Sequence, residues 1–147
     1  MAKPTLVFVP GIWEGTSVFD VVASSLRGHG YNTLYAPLVS TGHKSPGNPT
    51  LLDDVQHIRN VIKPLVEEGK DVIVVGHSAG GPLGAAATKG LSLKERNEAG
   101  KVGGVKKFVF LTAGLVPAGW RHPDVLDFYD IQVRQFLQST LILGSRR

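Results

Sequence analysis

Short apolar runs alternate along the chain with segments in which apolar residues recur every third or fourth position. Thr5–Val9 is an unbroken β-branched, aliphatic and aromatic run, the pattern of a strand covered on both faces. Val18, Phe19, Val22, Ala23 and Leu26 follow at helical spacing, with Ser17 and Asp20 placed as a capping pair and Gly28 and Gly30 as the stop. Residues 31–36 read as a second strand, and residues 37–49, rich in Pro, Gly, Ser and Asn, as a loop. Thr50 and Asp53 repeat the capping spacing ahead of Leu51, Val55, Ile58, Ile62 and Leu65, a second amphipathic helix expected to kink at Pro64 and close at Gly69. Residues 71–75 are a third strand, and a small-residue helix follows from about Ala79 to Leu91. Residues 92–104 read as a loop or frayed helix, and residues 105–113 as a fourth strand. Beyond Gly114 the period weakens, and only residues 140–143 have strand character. This order predicts an α/β fold: a mostly parallel sheet of four or five strands with helices on both faces.

The chain of 147 residues has the length of one domain, 1–147, with its core at about 3–118 and a weakly patterned tail at 119–147. No run approaches the roughly 18 apolar residues of a membrane span. The start, MAKPTLVFVPG, is broken too early by Pro10 and Gly11 for a signal peptide. The absence of cysteine excludes a disulfide scaffold and a thiolate nucleophile, and makes a cytoplasmic setting the expectation. The net charge of +4 sits in the second half, at Lys89, Lys94, Arg96, Lys101, Lys106, Lys107, Arg146 and Arg147. These cations are interleaved with Glu95, Glu98 and glycines and carry no aromatics for base stacking, so no nucleic-acid partner is expected. No histidine pair has metal-ligand spacing, and no G-x-G-x-x-G follows a strand. Neither a metal nor another cofactor is expected.

The chemistry concentrates in Gly76-His77-Ser78-Ala79-Gly80, a G-x-S-x-G between a buried strand and an Ala/Gly-rich helix. A turn that sharp leaves the Ser78 hydroxyl projecting at the carboxyl edge of the sheet, above the positive end of the helix. Gly76 and Gly80 are the positions where side chains would collide. Acyl transfer through Ser78 needs two backbone N–H donors for the developing oxyanion. Ala79 supplies one, and Ile12, in the Pro10-Gly11-Ile12-Trp13 turn after the first strand, is the expected second.

These segments resemble the α/β-hydrolase fold family, in its compact single-domain fungal and bacterial type. The turn matches V-P-G-x-W at Val9, Pro10, Gly11 and Trp13. The elbow matches D-V-x-V-V-x-H-S-x-G-G at Asp71, Val72, Val74, Val75, His77, Ser78, Gly80 and Gly81, and the Leu51–Val55 helix start adds to it. The resemblance spans roughly residues 3–118. It implies a serine hydrolase cleaving a small-molecule ester or amide through an acyl-Ser78 intermediate, with Thr112–Pro117 and loop 37–49 lining the pocket.

The family places its triad acid and then its histidine beyond the fourth strand. After Ser78 this chain has one histidine, His122, followed by Asp124, Asp127 and Asp130, an order opposite to the family's. The chain thus reads as an α/β-hydrolase fold incomplete at its C-terminus, with His122 the candidate substitute base. The alternative reading is a catalytically incomplete protein that keeps a binding role or none. Of the other histidines, His77 is expected to point away from Ser78, His29 and His57 to lie at the surface, and His43 to sit in the loop near the carboxyl edge. An uncovered fourth strand carrying Phe108, Val109, Phe110 and Leu111 is expected to favour self-association.

Overall fold

The uninterrupted apolar runs become strands, and the periodic segments between them become the crossovers that join them in parallel. The computed structural model describes residues 2–42, 47, 49–115 and 119. Along the chain come β1 (Thr5–Val9), a 3₁₀ turn (Thr16–Phe19), α1 (Asp20–Gly28), β2 (Thr33–Tyr35), α2 (Leu51–Glu67), β3 (Asp71–His77), α3 (Gly80–Ala87), α4 (Leu93–Glu98) and β4 (Gly104–Leu111). The four strands form one all-parallel sheet in the order β2-β1-β3-β4. All of these elements belong to one compact unit, Met1–Leu115. Among the described residues no helix is long and apolar enough to cross a membrane.

Strand alternation divides the core into two layers, because successive side chains leave opposite faces of the sheet. Val7, Val9, Val72 and Val74 pack with Ile58, Ile62, Val66 and Ala87 beneath α2 and α3. Leu6, Phe8 and Val75 pack with Phe19 and Ala23 on the α1 side. Helices therefore cover both faces, as a buried parallel sheet requires. The chain steps from β1 outward to β2, then crosses back over β1 to β3. The reversal opens a crevice between the carboxyl ends of β1 and β3, where open α/β sheets place their ligands.

Local chemistry agrees with the sequence in some places and corrects it in others. Thr50 and Asp53 form a complete capping box: the Thr50 side chain accepts from Asp53 N–H, and the Asp53 carboxylate accepts from Thr50 N–H at 2.7 Å. The hydrogen bonds from Thr50 hold the Asp53 carboxyl below its ordinary pKa. The pair expected at Ser17 and Asp20 does not form. A 3₁₀ turn stands there without a side-chain cap, and Asp20 instead accepts from the Tyr35 hydroxyl at 3.0 Å. Helix α2 runs through Pro64 to Glu67, and α3 ends at Ala87, earlier than expected. Residues 93–98, expected as loop or frayed helix, are α4, opened by Ser92 accepting from Glu95 N–H. Arg96 of α4 is buried, donating to the carbonyl oxygens of Gly103, Val66 and Val102. His57, expected at the surface, is half-buried with its Nε2 enclosed. The tail strand candidate at 140–143 lies outside the described residues.

The loop after β2 is latched to α2 by a fully buried carboxylate. Asp54 accepts from Ser40 N–H at 2.9 Å and from the Ser40 hydroxyl at 2.7 Å. Asp54→Ala leaves both half-buried Ser40 donors without their protein acceptor, at an expected cost of about 1–3 kcal/mol. Urea unfolding of the variant measures it, with Asp54→Asn, which keeps one acceptor, falling between the two.

Candidate active site

Three segments meet at the carboxyl edge: the turn after β1, the link from β3 to α3, and the end of β4. Ser78 has φ of 51°, a left-handed backbone that costs a non-glycine residue roughly 1–3 kcal/mol and persists only where its surroundings enforce it. Those surroundings are close backbone. A Cβ on Gly76 would stand 2.5 Å from the Gly80 carbonyl oxygen and 2.8 Å from Gly81 Cα. A Cβ on Gly80 would overlap the Val9 carbonyl oxygen and lie 2.5 Å from that of Pro10. Gly76 thus lets the turn close on itself, while Gly80 lets the start of α3 sit on the end of β1. The Ser78 N–H donates to the Leu111 carbonyl at 3.3 Å, and Gly81 N–H donates to Ser78 O at 3.1 Å. The turn is thereby tied to β4 on one side and to α3 on the other. Ser78 itself is exposed.

The β1 turn lies against this serine. A Cβ on Gly11 would come within 2.9 Å of both Ser78 Cβ and Glu14 Oε2. Trp13, with φ of 65°, is the second strained residue of the site and is 90% exposed. Among the described residues, the N–H groups of Ile12 and Ala79 have no protein acceptor, whereas Gly11 N–H donates to Glu14 Oε2 at 2.8 Å. The same oxygen lies 2.7 Å from His77 Nδ1, so His77 turns to Glu14 rather than to Ser78. Burial raises the Glu14 pKa, but hydrogen bonds from His77 and Gly11 and the His77 charge outweigh it and leave it below the ordinary value.

Glu14 is the residue that sequence reasoning missed. A single carboxylate in a loop has no periodic signature, and its partner lies 63 positions away. His29 is exposed at the end of α1, beside the Ser25 carbonyl at 2.8 Å. Among the described residues no side chain hydrogen-bonds the Ser78 hydroxyl. Thr112, with φ of 47°, and Ala113 close the β4 side of the site; a Cβ on Gly81 would meet Ala113 Cβ at 2.6 Å. His43, Val116, Pro117, His122, Asp124, Asp127 and Asp130 lie outside the described residues. Among the described residues there is no cluster of metal-ligating side chains. A surface concavity of about 600 Å³, lined by Glu67, Glu68, Gly69, Arg96, Lys101 and Val102, lies at the opposite edge of the sheet. It holds no candidate nucleophile.

Known proteins to which the chain is similar include hydrolases. The sequence profile of the alpha/beta hydrolase family matches residues 6–144. The alpha/beta hydrolase nvfD of Aspergillus novofumigatus is 34% identical over 119 residues, which cover 81% of this chain and 46% of that protein. A probable hydrolase of a Phoma species is 27% identical over 127 residues, 86% of this chain and 49% of its own length. An extracellular alpha/beta-hydrolase from a Paenibacillus species superposes with a TM-score of 0.62 at 21% identity, over 90% of this chain and 52% of that one. The chain belongs to the α/β-hydrolase family. It spans about half the length of the curated relatives it matches.

Proposed function

We propose that this chain carries the nucleophile half of a serine hydrolase acting on a small ester or amide, with Ser78 as nucleophile and the Ile12 and Ala79 N–H groups as oxyanion donors. The observation that supports it best is the strained Ser78 turn packed on Gly11, together with the Ile12 and Ala79 N–H groups, which no group among the described residues engages. In acyl transfer the Ser78 oxygen attacks the substrate carbonyl carbon, and the carbonyl oxygen takes the developing charge toward those donors. Collapse of the tetrahedral intermediate expels the alcohol or amine, and water then releases the acid from Ser78. The cysteine-free composition favours a reducing, cytoplasmic setting for this chemistry.

A hydroxyl without a base stays protonated at neutral pH and attacks slowly. Oxyanion donors and binding alone still leave roughly 10³–10⁴-fold acceleration over water. The chain is therefore expected to be labelled slowly at Ser78 by a fluorophosphonate, with trace turnover of an activated ester, and Ser78→Ala to abolish the labelling. Labelling that survives Ser78→Ala overturns the assignment. Brisk turnover lost in both Ser78→Ala and His122→Ala would make His122 the base.

The second reading is a catalytically incomplete protein that keeps a binding role or none. An unlabelled Ser78 in a folded chain would select it. The β4 edge carries a separate expectation. Val109 and Leu111 are 42% and 45% exposed there, and among the described residues β4 is an edge strand, of the kind that recruits other chains. Sedimentation is expected to detect self-association that Val109→Lys reduces.

A further inference from the structure

Glu14 is the one acidic side chain among the described residues that joins the two halves of the site. Its Oε2 accepts from Gly11 N–H at 2.8 Å within the β1 turn and pairs with His77 Nδ1 at 2.7 Å in the residue before Ser78. A carboxylate oxygen accepts two such bonds without leaving either donor short. We propose that Glu14 is a positioning residue, a bridge that fixes the β1 turn against the Ser78 turn and holds the Ile12 N–H at its working distance from Ala79. This rests on the serine-hydrolase reading given above.

The argument is one of competing donors. Gly11, Ile12 and Trp13 offer consecutive N–H groups in a turn strained at Trp13. With Gly11 N–H consumed by Glu14, the turn has one orientation, and the Ile12 N–H is left to the substrate. Without the carboxylate, Gly11 N–H seeks water or another acceptor, the Pro10–Gly11 peptide loses its brace, and the Gly11–Ile12 peptide is left to the Glu14 N–H to Gly11 carbonyl bond at 3.2 Å. Small displacements of an oxyanion donor are costly because the stabilisation depends on preorganised direction. The bridge also gives His77 a role: among the described residues it is the titratable group that faces Glu14, and it anchors the carboxylate to β3.

The test uses the whole chain. Glu14→Ala, which removes the acceptor, is expected to slow fluorophosphonate labelling of Ser78 roughly ten-fold, and Glu14→Gln, whose amide oxygen can still accept from Gly11 N–H, to restore most of the rate. His77→Gln, which keeps a donor toward Glu14, is expected to retain the rate that His77→Leu loses. In the unmutated chain, the Gly11 amide resonance is expected to lie downfield and to titrate with the Glu14 carboxyl. Labelling of Glu14→Ala at the parent rate overturns the proposal. So does a Gly11 resonance indifferent to Glu14 ionisation, a measurement that needs no variant to fold. If the parent is not labelled above Ser78→Ala, the hydrolase reading itself falls and takes the catalytic purpose of the bridge with it. The Gly11 titration tells that failure from a missing bridge.

Discussion

Gly80→Ala is expected to lower the melting temperature by roughly 10 °C, from a loss of about 3 kcal/mol. The added carbon would overlap the Val9 carbonyl oxygen and lie 2.5 Å from the Pro10 oxygen and 2.8 Å from the Val9 carbonyl carbon. Neither side can yield. Val9 belongs to an interior strand, paired with β2 on one side and β3 on the other. Helix α3 is equally confined, since a Cβ on Gly84 would stand 2.9 Å from the Phe108 ring. The substitution also wedges the Ser78 turn away from Gly11, so labelling at Ser78 should fall with stability. Circular dichroism melts measure the first effect. Gly28→Ala is the control, because a Cβ there meets nothing within 4 Å and is expected to leave the melt almost unchanged. Equal melting of the two variants would mean that the close approach at Gly80 relaxes freely.

Phe8→Ala is expected to cost about 3–5 kcal/mol. Phe8 is 1% exposed, and its ring centroid lies 4.9 Å from that of Phe19 and 6.1 Å from that of Tyr35. Removing the ring leaves a cavity among β1, β2 and the 3₁₀ turn, which the rigid sheet cannot collapse to fill. Against a usual margin of about 5–15 kcal/mol, such a variant approaches the limit of folding. Urea unfolding measures it, and a loss below about 1 kcal/mol would show that α1 moves inward to fill the space. Since the 3₁₀ turn follows directly on the β1 turn, Phe19 losing its partner should also loosen the chain that carries Glu14.

The strands β1 and β3 were legible because both faces are covered, and no polar residue interrupts Thr5–Val9 or Val72–Val75. Ser78, Gly76 and Gly80 were legible for a related reason: a turn that tolerates only glycine at two positions leaves a fixed spacing in the sequence. The meeting of Gly11 with Ser78 follows from the pairing of β1 with β3. Helix α4 was not legible, although Ser92 and Glu95 have capping spacing, because its six residues hold one apolar side chain and its buried position is a charged one, Arg96. The same spacing misled at Ser17 and Asp20, where the Tyr35 hydroxyl competes for the carboxylate. Spacing names a candidate cap, but tertiary partners decide whether it forms. Glu14 and Asp54 act through contacts distant in sequence, with His77 and Ser40, and no local pattern announces either.

The pairing of β1 with β3 also governs when, during folding, this site can exist. Thr5 stands opposite Val72 and Val9 opposite Gly76, so the contact that brings Gly11 to Ser78 closes a loop containing β2 and the whole of α2. Closure of that loop loses chain entropy before any of the contact is gained. A nascent chain can dock β1 on β2 early, but it has no Ser78 turn to brace until β3 has been made and has crossed to the far side of β1. The left-handed backbone at Ser78 should therefore be among the last features acquired and, on unfolding, among the first released.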